Sequence, residues 1–241
     1  MLPKSTTPRM VVLKGDRLYG DLICRQIKEL WPNAVVQVFQ RGLDALDAIQ
    51  AAMPDLFITG VKIDDMDGLE HLEPFIDRPL PILIVTSRMD ARTLALLRGV
   101  RFDGIYDGWV EGWGNLPTAL AKVLVHQPYV SSSFVPHLQE KKSLTLDALT
   151  PKEQMVLSVI GDGSDDQEAG DKLCLTVRTV NTYRKTIMAK LGLHHKGQLM
   201  VYALQQGYVH VNHRGIQYPG FERQIREITG AAKTRAANVG A

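Results

Sequence analysis

LTPKEQMVLSVIGDGSDDQEAGDKLCLTVRTVNTYRKTIMAKLGLHHKGQLMVYALQQGYV, residues 149–209, carries the clearest signal in the chain. Thr150 is a good N-cap, Pro151 suits a first helical turn, and Glu153 stands where a capping box needs it. Met155, Val156, Val159 and Ile160 make the apolar face of that helix, and Gly161 and Gly163 end it. Asp165 or Asp166 then caps a second helix running through Lys172–Leu173, in which small Ala169 and Gly170 permit close approach by a crossing helix. Thr176 caps a third, Val177–Leu191, with a buried stripe of Val180, Ile187, Met188 and Leu191. Its other face carries Arg178, Asn181, Thr182, Arg184 and Lys185, a mixture of phosphate-seeking cations and polar groups able to reach base edges. That face alone would suit any solvated helix. Joined by a tight turn to a preceding short helix, it is what docking in a DNA major groove needs.

Upstream, short apolar runs alternate with amphipathic stretches. Strands are expected at 10–13, 34–39, 55–59, 81–86 and 104–106, and helices at 18–31, 42–52, 68–76, 91–100 and 116–126. Five apolar strands separated by helices imply a parallel sheet covered on both faces, and the right-handed crossover rule makes it doubly wound. The Pro, Ser and Lys-rich stretch 129–148 reads as a linker with a short helix near 134–141. The expected organisation is thus an α/β domain over 8–128, that linker, an all-α domain over 149–211, and a tail over 212–241. The tail is expected to be disordered from Gly230, with a short amphipathic helix at 221–228.

The run L-T-P-x-E, a glycine, L-x-V-R-T-V-x-T-x-R and K-L-G resembles the four-helix LuxR/NarL DNA-binding domain along its full length. The resemblance implies a LuxR-type helix-turn-helix. It implies base-edge contacts from Asn181, Thr182 and Lys185, phosphate contacts from Arg178, Thr179 and Arg184 with Lys172 as a further candidate, and a dimer contact on the last helix at about 195–206. Leu199 and Tyr202 are candidates for that contact or for the core. Two departures stand out. Ser164-Asp165-Asp166 replaces an apolar residue followed by Ser/Thr-Asn, and its carboxylates would repel phosphate unless they cap the helix. Asn181 replaces a commoner Lys, which favours amide-to-adenine readout.

The first domain resembles a receiver of the NarL/FixJ response regulators, with the flavodoxin- or CheY-like five-stranded parallel sheet. Residues 54–68, P-D-L-F-I-T-G-V-K-I-D-D-M-D-G, match the stretch around the phosphoacceptor. Receivers hold magnesium with an acidic pair after strand one and the acceptor aspartate after strand three. A Thr or Ser after strand four and a Lys after strand five contact the phosphoryl group. Here the acceptor position is Gly60, the acidic pair falls on Lys14 and Gly15, the hydroxyl is Thr86, and the lysine position is Asp107. A one-residue shift would bring Asp16 into the acidic site but would restore no acceptor. The resemblance therefore implies a pseudo-receiver that does not follow aspartyl phosphorylation.

Charge is uneven: 14 basic against 16 acidic residues up to Pro136, and 14 against 10 after it. A near-neutral front and a basic rear suit a sensor joined to a nucleic-acid binder. Cys24 and Cys174 are expected to be small buried residues in a reducing cytosol, and no cysteine spacing suits zinc. No apolar run reaches the roughly 18 residues of a membrane span, and the first ten residues lack a signal-peptide core. Asp64, Asp65, Asp67 and Gly68 hint at a calcium loop, but its first and twelfth positions fall on Ile63 and Pro74, so the run reads as a loop capping the next helix. His194 and His195 read as an exposed turn. Trp109 and Trp113, with Tyr106, read as an interface, a ligand pocket or plain packing. No nucleophile–base pairing points to an enzyme, and neither cofactor nor metal is expected. The expected protein is a cytoplasmic, homodimeric, sequence-specific transcription regulator on inverted-repeat promoter DNA, with RNA polymerase as a further contact. The alternative is a regulator whose pseudo-receiver binds a metabolite or partner protein to switch DNA binding.

Overall fold

The computed structural model describes residues 7–67, 69–87, 90–139, 148–212 and 215–239. They fall into two compact units, one of residues 7–87 and 93–139, the other of residues 90–92 and 148–239.

The first unit is the doubly wound α/β fold. In chain order it contains β1 (Arg9–Leu13), α1 (Arg17–Leu30), β2 (Val35–Phe39), α2 (Gly42–Ala51), β3 (Leu56–Thr59), a 3-10 helix (Glu70–Phe75), β4 (Ile82–Thr86), α3 (Ala91–Leu97), β5 (Gly104–Asp107), α4 (Leu116–Leu124), β6 (Tyr129–Val130) and α5 (Val135–Gln139). The strands pair in parallel in the order β2-β1-β3-β4-β5-β6. Alternate strand residues feed two cores. Val11, Leu13, Phe57, Ile82, Ile84 and Ile105 pack under α2, α3 and the 3-10 helix. Met10, Val12, Ile58, Leu83, Val85 and Tyr106 pack under α1 and α4. Strands β3, β4 and β5 are buried along their whole length, which is why they read as continuous apolar runs rather than as alternation.

Two expectations need correction here. The helix expected over 68–76 is a 3-10 helix, with Pro74 inside it. Proline has no N–H to donate and resists a regular α-helical turn. Gly68 lies outside the described residues. Residues 129–139 are not a linker. Tyr129 and Val130 form a sixth strand on β5, and Phe134 is fully buried in the core with Leu138 against it. The serines that suggested a flexible segment are fixed by hydrogen bonds: Asp107 N donates to Ser131 Oγ at 2.8 Å and Ser133 Oγ donates to Asp107 Oδ2 at 2.6 Å. The remainder of the expected linker, 140–147, lies outside the described residues.

The second unit holds α6 (Pro151–Ile160), α7 (Asp166–Leu173), α8 (Val177–Leu191) and α9 (Lys196–Gln205), then a hairpin, β7 (His210–Asn212) with β8 (Gly215–Gln217), and α10 (Glu222–Val239). The caps read from sequence are present. Thr150 and Glu153 form a capping box on α6, Asp165 and Glu168 form one on α7, and Thr176 caps α8. Gly170 must lack a side chain, since a Cβ there would lie 2.6 Å from the Leu175 carbonyl. The expected boundary at 211 is overturned, while the short helix expected at 221–228 is present within α10. Phe221 and Ile225 are buried, the Phe221 ring stacks on Tyr208 with centroids 6.3 Å apart, and the backbone of α10 stays helical beyond Gly230 to Val239. These apolar anchors lie outside the four-helix motif, so reading that motif gave no reason to fold them in. The last two residues lie outside the described set.

Removing the Phe134 ring from a closed core leaves a cavity. Phe134→Ala is expected to destabilise the first unit by about 3–5 kcal/mol, read as a lower midpoint in urea unfolding followed by circular dichroism. A chain truncated after Pro128 should show the same loss, and an unchanged midpoint in either variant would return this segment to linker status.

Candidate functional site

Helix α8 and what surrounds it form the first candidate site. Its length and cap follow from sequence: Thr176 Oγ1 accepts from Thr179 N at 3.1 Å, and Gly192 in the left-handed region (φ 65°) ends it. Its presented face differs from the expected one. Arg178, Thr182 and Lys185 are exposed. Arg184 is only 4% exposed; its Nε donates to Asp166 Oδ1 at 2.7 Å and its Nη2 to the Ser164 carbonyl at 3.0 Å. It is therefore corrected from a phosphate contact to an internal tie between α7 and α8. Asn181 Nδ2 donates to the other oxygen of Asp166 at 2.8 Å, so its amide is oriented by that carboxylate. Burial pushes the Asp166 carboxyl up, but the donors on Asn181 and Arg184 outweigh it and hold the group below its ordinary value.

Lys172 is also tied internally, although its side chain stays 40% exposed. Its ammonium donates to Asp162 Oδ2 at 2.8 Å, Ser164 Oγ at 2.9 Å and Tyr218 Oη at 3.1 Å. Thr179 shares a 2.8 Å hydrogen bond with the Thr176 hydroxyl and is half-buried. The two departures from the family pattern are now explained. Asp165 caps α7 and Asp166 neutralises Arg184, so neither is a loose carboxylate facing phosphate. At the far end of α8, Lys190 pairs with the buried Glu153 of α6 at 2.7 Å, and this hydrogen bond is the first cause holding the Glu153 carboxyl low.

On α9, Leu199 is fully buried and belongs to the core, while Tyr202 is half-buried. The exposed apolar residues of that helix are Met200, Val201 and Leu204. The adjacent His195 caps α9, its Nδ1 accepting from Gln198 N at 3.2 Å. Among the described residues no group of His, Cys, Asp and Glu is arranged to hold a metal ion. Cys174 is exposed rather than buried, because it stands in the left-handed turn (φ 53°) closing α7; Cys24 is half-buried.

The second candidate site lies at the C-terminal ends of β1 and β3, the topological switch point of a 2-1-3-4-5 sheet. Leu13 pairs with Thr59, so the next residues, Lys14 and Gly60, meet there. A Cβ on Gly60 would lie 3.1 Å from Lys14 Nζ. The ammonium donates to the Val85 carbonyl at 2.9 Å and sits 5.2 Å from the centre of the Tyr19 ring, which in turn meets Trp113 at 5.7 Å. Burial pushes Lys14 down to about 8, against a smaller opposing pull from Asp16. Asp16 itself caps α1, accepting from Tyr19 N at 3.2 Å. Asp107 is buried and accepts from Trp109 N, Val110 N and Ser133 Oγ, which makes it a turn cap at the lysine position. Thr86 is buried at the end of β4. Asp65, expected to cap the following helix, instead caps the earlier α2 through Gly42 N at 2.8 Å. Sequence reasoning missed His71. Its Nε2 lies 3.0 Å from Thr59 Oγ1, and full burial pushes it down to about 4, so it is neutral at physiological pH. Of the aromatic cluster, Tyr106 is buried and Trp113 packs on Tyr19, while Trp109 is 83% exposed.

Residues 147–203 match the family described as "Bacterial regulatory proteins, luxR family". The helices α6 to α9 are a LuxR-type helix-turn-helix domain. Over longer stretches the chain is similar to the response regulator VraR of Staphylococcus saprophyticus, 24% identical across 73% of this chain and 86% of that protein. It is also similar to the response regulator GacA of Pseudomonas aeruginosa, 26% identical across 83% and 97%. Among solved structures it shares its fold with the RcsB response regulator of Salmonella typhimurium, at 22% identity and a TM-score of 0.52 over 81% of this chain and 98% of that one. A further RcsB structure, of two dimers bound to two parallel DNAs, matches with a TM-score of 0.51 at 20% identity, over 81% of this chain and 97% of that one. The first unit is accordingly the CheY-like receiver fold and the second carries the LuxR-type domain.

Two tests follow from these contacts. Arg184→Ala strips the counter-charge from a half-buried carboxylate and should destabilise the LuxR-type domain by about 2–4 kcal/mol, whereas exposed Lys185→Ala should leave the melting temperature unchanged. The Lys14 pKa is lower in the folded chain than in the unfolded one, where it is about 10.5. The unfolded state therefore holds more protons between about pH 8 and 10.5, and the Lys14 contribution to stability rises with pH across that window. Lys14→Met should stabilise the receiver unit at pH 7, on the order of 1–3 kcal/mol, with the advantage shrinking toward pH 10. A pH-independent difference between the two proteins would contradict the buried ammonium.

Proposed function

We propose that this chain is a DNA-binding transcription regulator of the response-regulator type whose receiver unit works without aspartyl phosphorylation. The observation that carries the phosphorylation-independent part is at the switch point. The acceptor position is Gly60, which has no carboxylate, and the Lys14 ammonium occupies the space beside it. A fixed cation there supplies the positive charge that magnesium would bring, with nothing to phosphorylate. Asp107 at the lysine position is committed to capping its own turn and to Ser133.

On the DNA side, α8 docks in a major-groove half-site. Lys185 and Thr182 read base edges with the carboxylate-held Asn181, while Arg178 and Thr179 contact phosphate. Holding the Asn181 amide in one orientation costs it one donor but fixes which way its remaining groups point. A second copy pairs through the exposed apolar residues of α9, Val201 and Leu204, to give a homodimer on an inverted repeat. The exposed Trp109 and Val110, in the turn after β5, favour a partner protein as the input to the receiver. RNA polymerase is the expected downstream partner.

The test pairs two variants. Lys185→Ala should cost about 1–3 kcal/mol of specific binding in a fluorescence-anisotropy titration. Gly60→Asp puts a carboxylate against Lys14 and should take up no phosphoryl group from acetyl phosphate and magnesium, as read by intact mass. Equal affinity of the wild type for selected and random duplexes sinks the sequence-specific part; a phosphorylated Gly60→Asp species sinks the reading of the site.

A further inference from the structure

Helix α8 carries Arg178, Asn181, Thr182 and Lys185 at spacings of three and four residues, which sets them on one side of the helix. Arg178, Thr182 and Lys185 are exposed, and Asn181 is half-buried. Two departures from the LuxR pattern, Asp166 in place of Asn and Asn181 in place of Lys, lie on different helices and 15 residues apart. They meet in the fold: Asn181 Nδ2 donates to Asp166 Oδ2 at 2.8 Å. The two departures are one contact.

The polarity of that contact is fixed from both sides. An ionised carboxylate only accepts hydrogen bonds, and a guanidinium only donates them. Arg184 Nε holds Asp166 Oδ1 at 2.7 Å, while its Nη2 reaches the Ser164 carbonyl at 3.0 Å, so the carboxylate is anchored. The Arg184 and Asp166 side chains are 5% and 14% exposed, so water competes little for either. The Asn181 amide must therefore turn its NH2 group inward to Oδ2, which leaves its carbonyl oxygen and one N–H. Rotating the amide by half a turn would set oxygen against oxygen, losing the hydrogen bond and leaving a poorly hydrated acceptor unpaired. The adjacent Thr182 hydroxyl is polarised in the same sense: Oγ1 donates to the Arg178 carbonyl at 2.9 Å, so only its lone pairs are left.

We infer that Asp166 sets the base preference of α8: it holds the Asn181 amide oxygen toward the groove, so that each half-site favours adenine over guanine at the position Asn181 reads. The inference rests on the DNA-binding reading above. Adenine presents the N7 acceptor beside the N6 amino donor, which the free N–H and the oxygen of Asn181 match. Guanine presents two acceptors, N7 and O6, and its O6 would face the amide oxygen. Asp166 needs no contact with DNA for this; it is a positioning residue. Asp166→Asn builds the opposite lock by changing one heavy atom. Its amide oxygen stays on Arg184, because that partner only donates, and its NH2 group then faces Asn181. The Asn181 oxygen turns inward to meet it, and the Asn181 NH2 group turns to the groove.

The experiment uses the full chain. A random-sequence duplex library is selected on the wild type, on Asn181→Ala and on Asp166→Asn. Affinities for the wild-type consensus duplex and for its adenine-to-guanine substitutions are then measured by fluorescence anisotropy. The wild type is expected to prefer adenine at one position per half-site by on the order of tenfold. Asn181→Ala should lose that preference alone, and Asp166→Asn should move it from adenine to guanine with the other positions unchanged. A role of Asp166 confined to joining α7 and α8 would instead weaken all sequences alike, which overturns the inference. An adenine preference that Asn181→Ala removes but Asp166→Asn keeps also overturns it and leaves the DNA-binding reading intact. A wild type that selects no sequence overturns both. If Asp166→Asn does not fold, the wild type is titrated with the consensus duplex carrying purine, which lacks the 6-amino group, in place of the selected adenine. A loss equal to that of Asn181→Ala is then expected, and an unchanged affinity overturns the inference.

Discussion

The buried pair between Asp166 and Arg184 is the constraint on which the DNA-facing half depends. One carboxylate takes Arg184 on one oxygen and Asn181 on the other, and Arg184 reaches on to the Ser164 carbonyl. The two helices of the helix-turn-helix are thereby held at a fixed angle by charge-assisted hydrogen bonds in a partly dry setting, where such bonds are strong and an unmatched charge is costly. The interaction also decides which polar side chains of α8 remain exposed. Arg184 is withdrawn, Asn181 is oriented, and Arg178, Thr182 and Lys185 are left on the exposed face.

A parallel substitution of roles marks the receiver unit. Parallel pairing of β1 with β3 brings the residues after each strand together whatever their chemistry. In this chain they are a lysine and a glycine, and the lysine fills the space that the glycine leaves. Its ammonium is bonded to the Val85 carbonyl and faces the Tyr19 ring, against which Trp113 packs. A neutral His71 is pinned to Thr59, at the end of β3. The parallel frame is kept, and the charged groups at its switch point find their partners within the protein.

The same economy extends the LuxR-type domain at its C-terminal end. Lys172 is tied to Asp162 and Tyr218, and the helix that follows Tyr218 packs along α7. A four-helix motif with little core of its own gains the buried area of Phe221 and Ile225. The hairpin β7–β8 and helix α10 are thus part of the domain rather than an appendix to it.

What the sequence determined by itself was whatever depends on neighbours within a turn or two of chain. The Thr150 and Thr176 caps, a cap on α7 from one of two adjacent aspartates (Asp165 in the structure) and the apolar strands of the doubly wound sheet are all local, and they stand in the structure as read. What tertiary structure decided were the partners far apart in sequence. Arg184 meets Asp166 across 18 residues, Lys172 meets Tyr218 across 46, and Ser133 meets Asp107 across 26. A cation on a helix, or a serine-rich run, looks the same in sequence whether it is solvated or tied down. Only the three-dimensional position of its counter-charge separates the two, which is why the fold and the helices of the second unit were legible while the polar residues left exposed on α8 were not.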